Sequence, residues 1–162
     1  MDEDLFLRKR ALALCQEGQR VQLEGDLALA MALYSESLEI FPTAEAHTFL
    51  GWAFSVQDRF DEAIAACKRA IALDPAFGNP YNDIGSYLIA QGKLEEAPRW
   101  LQKAKRAARY ECRHYPYINL GRLFASRGWV AKAIGEFETA LRLAPDEPGV
   151  ASALSALRQR IN

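Results

Sequence analysis

The sequence predicts an all-α chain, a solenoid of about four helical hairpins with one further helix at its C-terminal end. Three observations carry this. A four-place pattern recurs as Leu14/Glu17/Gly18/Val21, His47/Leu50/Gly51/Phe54, Tyr81/Ile84/Gly85/Leu88 and Tyr117/Leu120/Gly121/Phe124. Its glycines lie 33, 34 and 36 residues apart. Behind each copy runs a second apolar stripe, closed by Pro42, Pro75 and Pro145 in three of the four. Apolar residues at three- and four-residue steps mark one face of a helix, and a fixed period of this length marks stacked helical units.

In the third copy, Tyr81, Ile84, Gly85 and Leu88 are spaced as W-x2-L-G-x2-Y. Gly92 marks a turn, and Ala97 and Leu101 open the second stripe. Ala63, Cys67 and Ala70 follow in the second copy, Ala133, Phe137 and Ala140 in the fourth, and Ala30 and Tyr34 in the looser first, where Glu17 stands in place of a leucine. This layout resembles the tetratricopeptide repeat. The resemblance implies a right-handed α-solenoid forming a single domain over residues 1–162. Its repeats would fall at about 11–43, 44–77, 78–113 and 114–147, with a capping helix at 149–161.

The elements follow in order. Leu7, Ala11, Leu14 and Val21 share a stripe, which predicts a long first helix from about Asp4 to Leu23; the turns ahead of Ala11 are expected to cap the stack. Leu27 to Phe41 is its antiparallel partner, stopped by Pro42. The Thr43 hydroxyl can cap the next helix by accepting a free backbone N–H. Ala44 to Gln57 and Phe60 to Leu73 form the second hairpin, ended by Asp74-Pro75 because proline keeps its predecessor out of helical angles. Pro80 sits in the first turn of the third hairpin, where its missing N–H costs little. Pro98 is expected one turn inside the following helix, with a small distortion. The stretch between Ala107 and Pro116 is two residues longer than the period, so either the helix overruns or the loop bulges. A fourth hairpin spans about Tyr115 to Leu143. In the last helix Val150, Leu154, Leu157 and Ile161 share a stripe that would cover the open end of the stack.

Composition narrows the function. The 162 residues carry a formal net charge of −1 and half are hydrophobic, which fits a folded domain and gives no global attraction to nucleic acid or anionic membrane. Four repeats and their flanks use nearly all of the length. Cys15, Cys67 and Cys112 are odd in number and form no C-x-x-C pair, which fits a reduced compartment; Cys67 takes a consensus aromatic position and packs as a small hydrophobe. The start lacks the long apolar core of an export signal, and Leu14 before Cys15 is the wrong residue for a lipoprotein cleavage site. No stretch approaches the roughly 20 apolar residues of a membrane span. The expected compartment is the cytoplasm.

Catalytic constellations are missing from the sequence. It has no phosphate-binding loop, dinucleotide fingerprint, H-E-x-x-H or G-x-S-x-G. Cys112 and His114 could be drawn as nucleophile and base or as two metal ligands, but Arg113 between them disfavours a cation and a zinc site needs more ligands. His47, at an aromatic position, is expected to pack between helices. Acidic pairs such as Asp61-Glu62 and Glu95-Glu96 complement helix dipoles. The expectation is a non-enzyme with no cofactor and no metal.

In the resembled family the first helix of each repeat lines a groove that holds an extended or helical peptide. The stripe facing that groove here supplies Gln19, Gln22 and Leu23, then Glu45, Thr48, Phe49, Trp52 and Ser55, then Asn79, Asn82, Asp83 and Ser86, and last Tyr115, Asn119, Arg122 and Ser126. Trp52 and Phe49 offer apolar area, the asparagines can bond a peptide backbone, and Arg122 can grip a carboxylate. The groove residues expected from this resemblance are Gln19, Thr48, Phe49, Trp52, Asn79, Asn82, Asp83, Ser86, Tyr115, Asn119 and Arg122. Relatives that hold the acidic tails of heat-shock chaperones use lysine, asparagine and arginine in a two-carboxylate clamp. The matching places here carry Cys15, Gln19, Phe49, Asn79 and Asp83, or one repeat later Thr48, Trp52, Asp83, Tyr115 and Asn119, so the cations are missing.

A second feature is the run from Arg99 to Arg113, with Arg99, Lys103, Lys105, Arg106, Arg109 and Arg113 against Glu111 alone. Its charges Arg99, Lys103, Arg106, Arg109 and Arg113 could meet an acidic protein partner in preference to nucleic acid. The resulting expectation is a non-catalytic scaffold or adaptor that binds a peptide segment of another protein. Self-association and a pilus- or secretion-assembly role are the alternatives, although such assembly factors are typically exported lipoproteins.

Overall fold

The computed structural model describes residues 2–162. Among them nine α-helices follow one another: α1 (Glu3–Leu23), α2 (Leu27–Ile40), α3 (Ala44–Val56), α4 (Phe60–Leu73), α5 (Asn79–Ala90), α6 (Ala97–Arg106), α7 (His114–Ser126), α8 (Val130–Leu143) and α9 (Val150–Ile161). The chain is an all-α right-handed solenoid. Each odd-numbered helix up to α7 pairs with the next as an antiparallel hairpin, each hairpin packs on its neighbour, and α9 lies on α8.

Local chemistry sets the ends. Asp2, Asp26 and Thr43 each accept a backbone N–H of the helix they precede, from Asp4, Leu29 and Ala46 at 3.2, 3.1 and 3.2 Å. The turns inside the hairpins need one left-handed residue: Gly25, Gly92 and Gly128 supply it in three of them, and Asp58, at φ 59°, in the second.

Within each hairpin a small residue lets the helices approach. A Cβ built on Gly18, Gly51, Gly85 or Gly121 would meet the side chain of Tyr34, Cys67, Leu101 or Phe137 of the partner helix. Those four side chains are almost fully buried, and the core runs the length of the stack around them. Two polar contacts lie inside it: Tyr34 donates its hydroxyl to Gln22 Oε1 at 2.9 Å, and Ser37 donates to the Ala11 carbonyl at 2.6 Å.

Three local expectations are corrected. The turns of α1 ahead of Ala11 do not cap the stack: Leu5 and Phe6 are exposed and Leu7 alone is half-buried, because α2 ends before it can cover them. Pro98 is not one turn inside its helix. It stands at the second position of α6, and residues 94–96 form a turn, because a proline nitrogen cannot bond the carbonyl four residues back. Ile161 lies outside the buried part of the α9 stripe, 62% exposed at the end of the helix. The long connection between α6 and α7 resolves as a bulge: α6 ends at Arg106, and the chain makes a parallel bridge between Arg109 and Phe77 before α7 begins.

Candidate functional site

The odd-numbered helices α1, α3, α5 and α7 line one side of the solenoid, and a cleft of about 400 Å³ opens there. Leu12, Cys15, Gln16 and Gln19 of α1 form one wall and Glu45 and Phe49 of α3 the floor. The opposite rim comes from Phe77, Asn79, Arg109, Glu111 and Cys112. Most of that rim belongs to the connections α4–α5 and α6–α7, outside the helix stripe that the sequence singled out. The signal for it was the long spacing before Gly121, which places extra chain at the mouth.

Arg109 holds the rim together. Its guanidinium lies 4.1 Å over the Phe77 ring and pairs with Asp74 at 2.6 Å and Glu45 at 3.2 Å. Backbone bonds of 2.9 Å run from Gly78 N–H to the Arg109 carbonyl and from Arg109 N–H to the Ala76 carbonyl. The Asp74 carboxyl is held below its usual range, first by the hydrogen bond from Arg109. Tyr110 then closes on the backbone of Gly78, where any Cβ would strike its ring.

The groove-facing residues divide into three groups. Gln19, Phe49 and Asn79 line the cleft half-buried, with Phe49 also stacked on Tyr34 at 6.2 Å between centroids. Trp52 and Ser86 are half-buried farther along α3 and α5, and Tyr115 and Arg122 are exposed on α7, Tyr115 against His114 at 4.3 Å. The third group is turned inward. Thr48 is 1% exposed and spends its one hydroxyl proton on the Ala44 carbonyl at 2.7 Å, so the expectation that it faces the groove is corrected. Asn82 is buried and accepts at Oδ1 from Asn119 Nδ2 at 2.9 Å, which commits one side of each amide to the other.

Asp83 stands apart. It is half-buried on α5 and enters no ion pair among the described residues. Burial pushes its carboxyl up to about 7, against the opposing pull of the Asn82 amide.

The thiols are not poised for chemistry. Burial, with a smaller push from Glu45, lifts Cys15 to about 12, and burial raises both Cys67 and Cys112. A nucleophile needs the opposite shift. His114 lies 3.3 Å from Glu147, and the described residues hold no cluster of three or more metal-ligating side chains.

The cationic run is partly consumed. Arg109 is committed to the rim. Arg113 donates to the carbonyls of Lys105 and Ala107 and closes the end of α6. Both leave the acidic-partner patch expected from sequence: Arg109, although exposed, is already paired with two carboxylates, and Arg113 is spent on backbone carbonyls. Lys105 pairs with Glu136 at 2.7 Å over the Tyr117 ring. Arg99 and Lys103 flank the Trp100 ring, joined from α4 by Lys68, and Arg106 is exposed beside them.

Comparison with known proteins places this geometry. A family profile described as tetratricopeptide repeat matches residues 44–77. The chain is 30% identical over 146 residues to the type IV pilus assembly protein PilF of Pseudomonas aeruginosa, covering 90% of this chain and 58% of that one. It is 30% identical over 97 residues to the small glutamine-rich tetratricopeptide repeat-containing protein 2 of Saccharomyces cerevisiae, covering 59% of this chain and 28% of that one. The chain therefore spans between about a quarter and just over half of these relatives. The solved Pseudomonas aeruginosa PilF structure superposes with a TM-score of 0.87 at 29% identity, over 95% of this chain and 70% of that one. MamA superposes at 0.70 with 22% identity, over 89% of this chain and 84% of that one, a likeness of fold. No helix among the described residues is long and apolar enough to cross a membrane.

Proposed function

From a chain built of tetratricopeptide repeats, we propose that the groove along α1, α3, α5 and α7 holds a peptide segment of another protein and that the molecule works as a non-catalytic cytoplasmic scaffold or adaptor. The observation that carries the reading is the set of uncommitted side chains along that face. Trp52, Asn79, Ser86 and Arg122 have no hydrogen-bond or ionic partner for their side chains among the described residues, while Thr48 and Asn82 beside them are spent on the fold. Polar groups left free on a concave face beside a half-buried indole are what a bound backbone needs. Trp52 would anchor the segment, Asn79 and Asn119 would bond its backbone, and Arg122 would take an acidic group at one end.

The test is affinity capture with wild type and with a variant carrying Trp52→Ala and Arg122→Ala, its helicity checked by circular dichroism. Asn82 is left intact because its loss would loosen the stack. A segment held by wild type, cross-linked to α3 or α5, and lost by the variant supports the groove. Equal retention by both overturns it and moves attention to Arg99, Lys103 and Arg106 around Trp100.

A second reading, participation in pilus assembly, is favoured by the likeness to PilF over nearly the whole chain. Deleting the gene in its host and counting surface pili by electron microscopy tests it. Unchanged piliation would exclude the role.

A further inference from the structure

We propose that the trough between α3 and α5 is a subsite for a cationic side chain, a lysine or arginine of the bound segment, received by the carboxylate of Asp83. The inference rests on the groove reading above and adds the chemistry of the occupant.

Repeat register locates the trough. Asp83 precedes Gly85 by two residues and Asn119 precedes Gly121 by two, so they hold the same place in α5 and α7. Asn119 reaches back to Asn82, which holds the place three before its own glycine. The corresponding residue ahead of Asp83 is Thr48, three before Gly51. In the first junction those two places carry Cys15 and Phe49, an apolar pair in one core cluster. Two of the three junctions are thus satisfied, one by packing and one by a hydrogen bond.

The middle junction is only half satisfied. A carboxylate has room for several donors; the Asn82 amide offers one, and the single proton of the Thr48 hydroxyl goes instead to the Ala44 carbonyl at 2.7 Å. The titratable groups that feel the Asp83 charge are Cys67 of α4, Tyr87 of α5 and Tyr110 of the α6–α7 connection, and all three are neutral when protonated. Arg109, the cation at the cleft rim, is already shared by Asp74 and Glu45. A half-buried carboxylate with no cation of its own is costly, and an incoming ammonium or guanidinium is the group that removes the cost. The amide oxygens of Asn79 and Asn119 border the same face and can take the remaining N–H donors.

The test uses small probes on isotope-labelled protein: N-acetyl-lysine methylamide, N-acetyl-arginine methylamide, and N-acetyl-norleucine methylamide as a neutral control. Carboxyl and amide resonances of Asp83, Thr48 and Asn82 are followed from pH 5 to 8. The expected result is saturable shifts with the cationic probes alone. Their affinity should rise roughly tenfold per pH unit up to neutrality, as the ionised fraction of Asp83 does, and Asp83→Asn should abolish the response. Equal shifts from the norleucine probe, a response that survives Asp83→Asn, or no response at Asp83 would overturn the subsite. A captured segment that depends on Trp52 but lacks any lysine or arginine would leave the groove standing and remove the subsite. Loss of Trp52 dependence would remove the groove reading itself.

Discussion

Asn119 donates its amide N–H to the side-chain oxygen of Asn82 at 2.9 Å, tying α7 to α5 from opposite sides of the third junction. Asn82 is buried, so its oxygen has no ready access to water in compensation. Asn119→Ala should therefore cost about 1 to 2 kcal/mol, the loss of one hydrogen bond plus an unsatisfied acceptor. Urea unfolding of both single variants and the double gives the coupling directly. Additive losses would mean that the bond contributes nothing.

Gly85 and Gly135 predict opposite outcomes for the same substitution. A Cβ at Gly85 would lie 2.4 Å from Leu101 Cδ2 and 2.6 Å from its Cγ, and Leu101 is fully buried with no room to swing away. Gly85→Ala is expected to destabilise by about 1 to 3 kcal/mol through overpacking. At Gly135, exposed on α8, no heavy atom comes within 4 Å of the added carbon. Gly135→Ala should stabilise by about 0.5 to 1 kcal/mol as a helix-interior alanine does. Thermal melts of the two variants check both signs.

Asp83 sets a pH dependence. Its native carboxyl titrates near 7 against 3.8 when unperturbed, so the folded chain holds the proton more tightly than the unfolded one. The stability linked to it is complete below about pH 4 and is lost as pH rises through 7. Asp83→Asn removes the ionisation, and at pH 8 it should stabilise the fold by about 2 kcal/mol, roughly half of what the full shift would give for a group closed off from the groove. Near pH 4 the two proteins should be equally stable. A variant-to-wild-type difference that is the same at both pH values would contradict the assignment.

Pro98 controls the length of α6. Alanine there would supply the N–H that the Leu94 carbonyl lacks and let the helix start near Leu94, as α4 starts at Phe60 and α8 at Val130. The gain should be about 0.5 to 1 kcal/mol for one backbone hydrogen bond. Carbon chemical shifts of residues 94–96 should move to helical values. Unchanged shifts would place the cause of the late start elsewhere.

The hairpins and the core were legible because each depends on local spacing: the four glycines, the partner side chains behind them and the prolines all follow one period. The groove helices were legible for the same reason. Thr48 and Asn82 were not, since a groove-facing position and an inward-turned side chain look alike in a sequence; what differs is where the Thr48 hydroxyl and the Asn82 amide find their bonds. Arg109 and Arg113 escaped for another reason. Their partners lie in other connections or on backbone carbonyls, and no periodicity connects Arg109 to Glu45, 64 residues earlier.

That long-range clasp changes how the molecule should come apart. In an array whose units touch only their neighbours, hairpins can unzip one after another from either end. Arg109 binds the connection ahead of α7 to Glu45 on α3, so it reaches past the third hairpin to the second. Opening the third hairpin alone would break this contact together with the bridge at Phe77. The second and third hairpins are thus linked by more than the packing of their helices, and local opening should begin in the overhanging first turns of α1 and the last turn of α9, where amide hydrogens would exchange fastest.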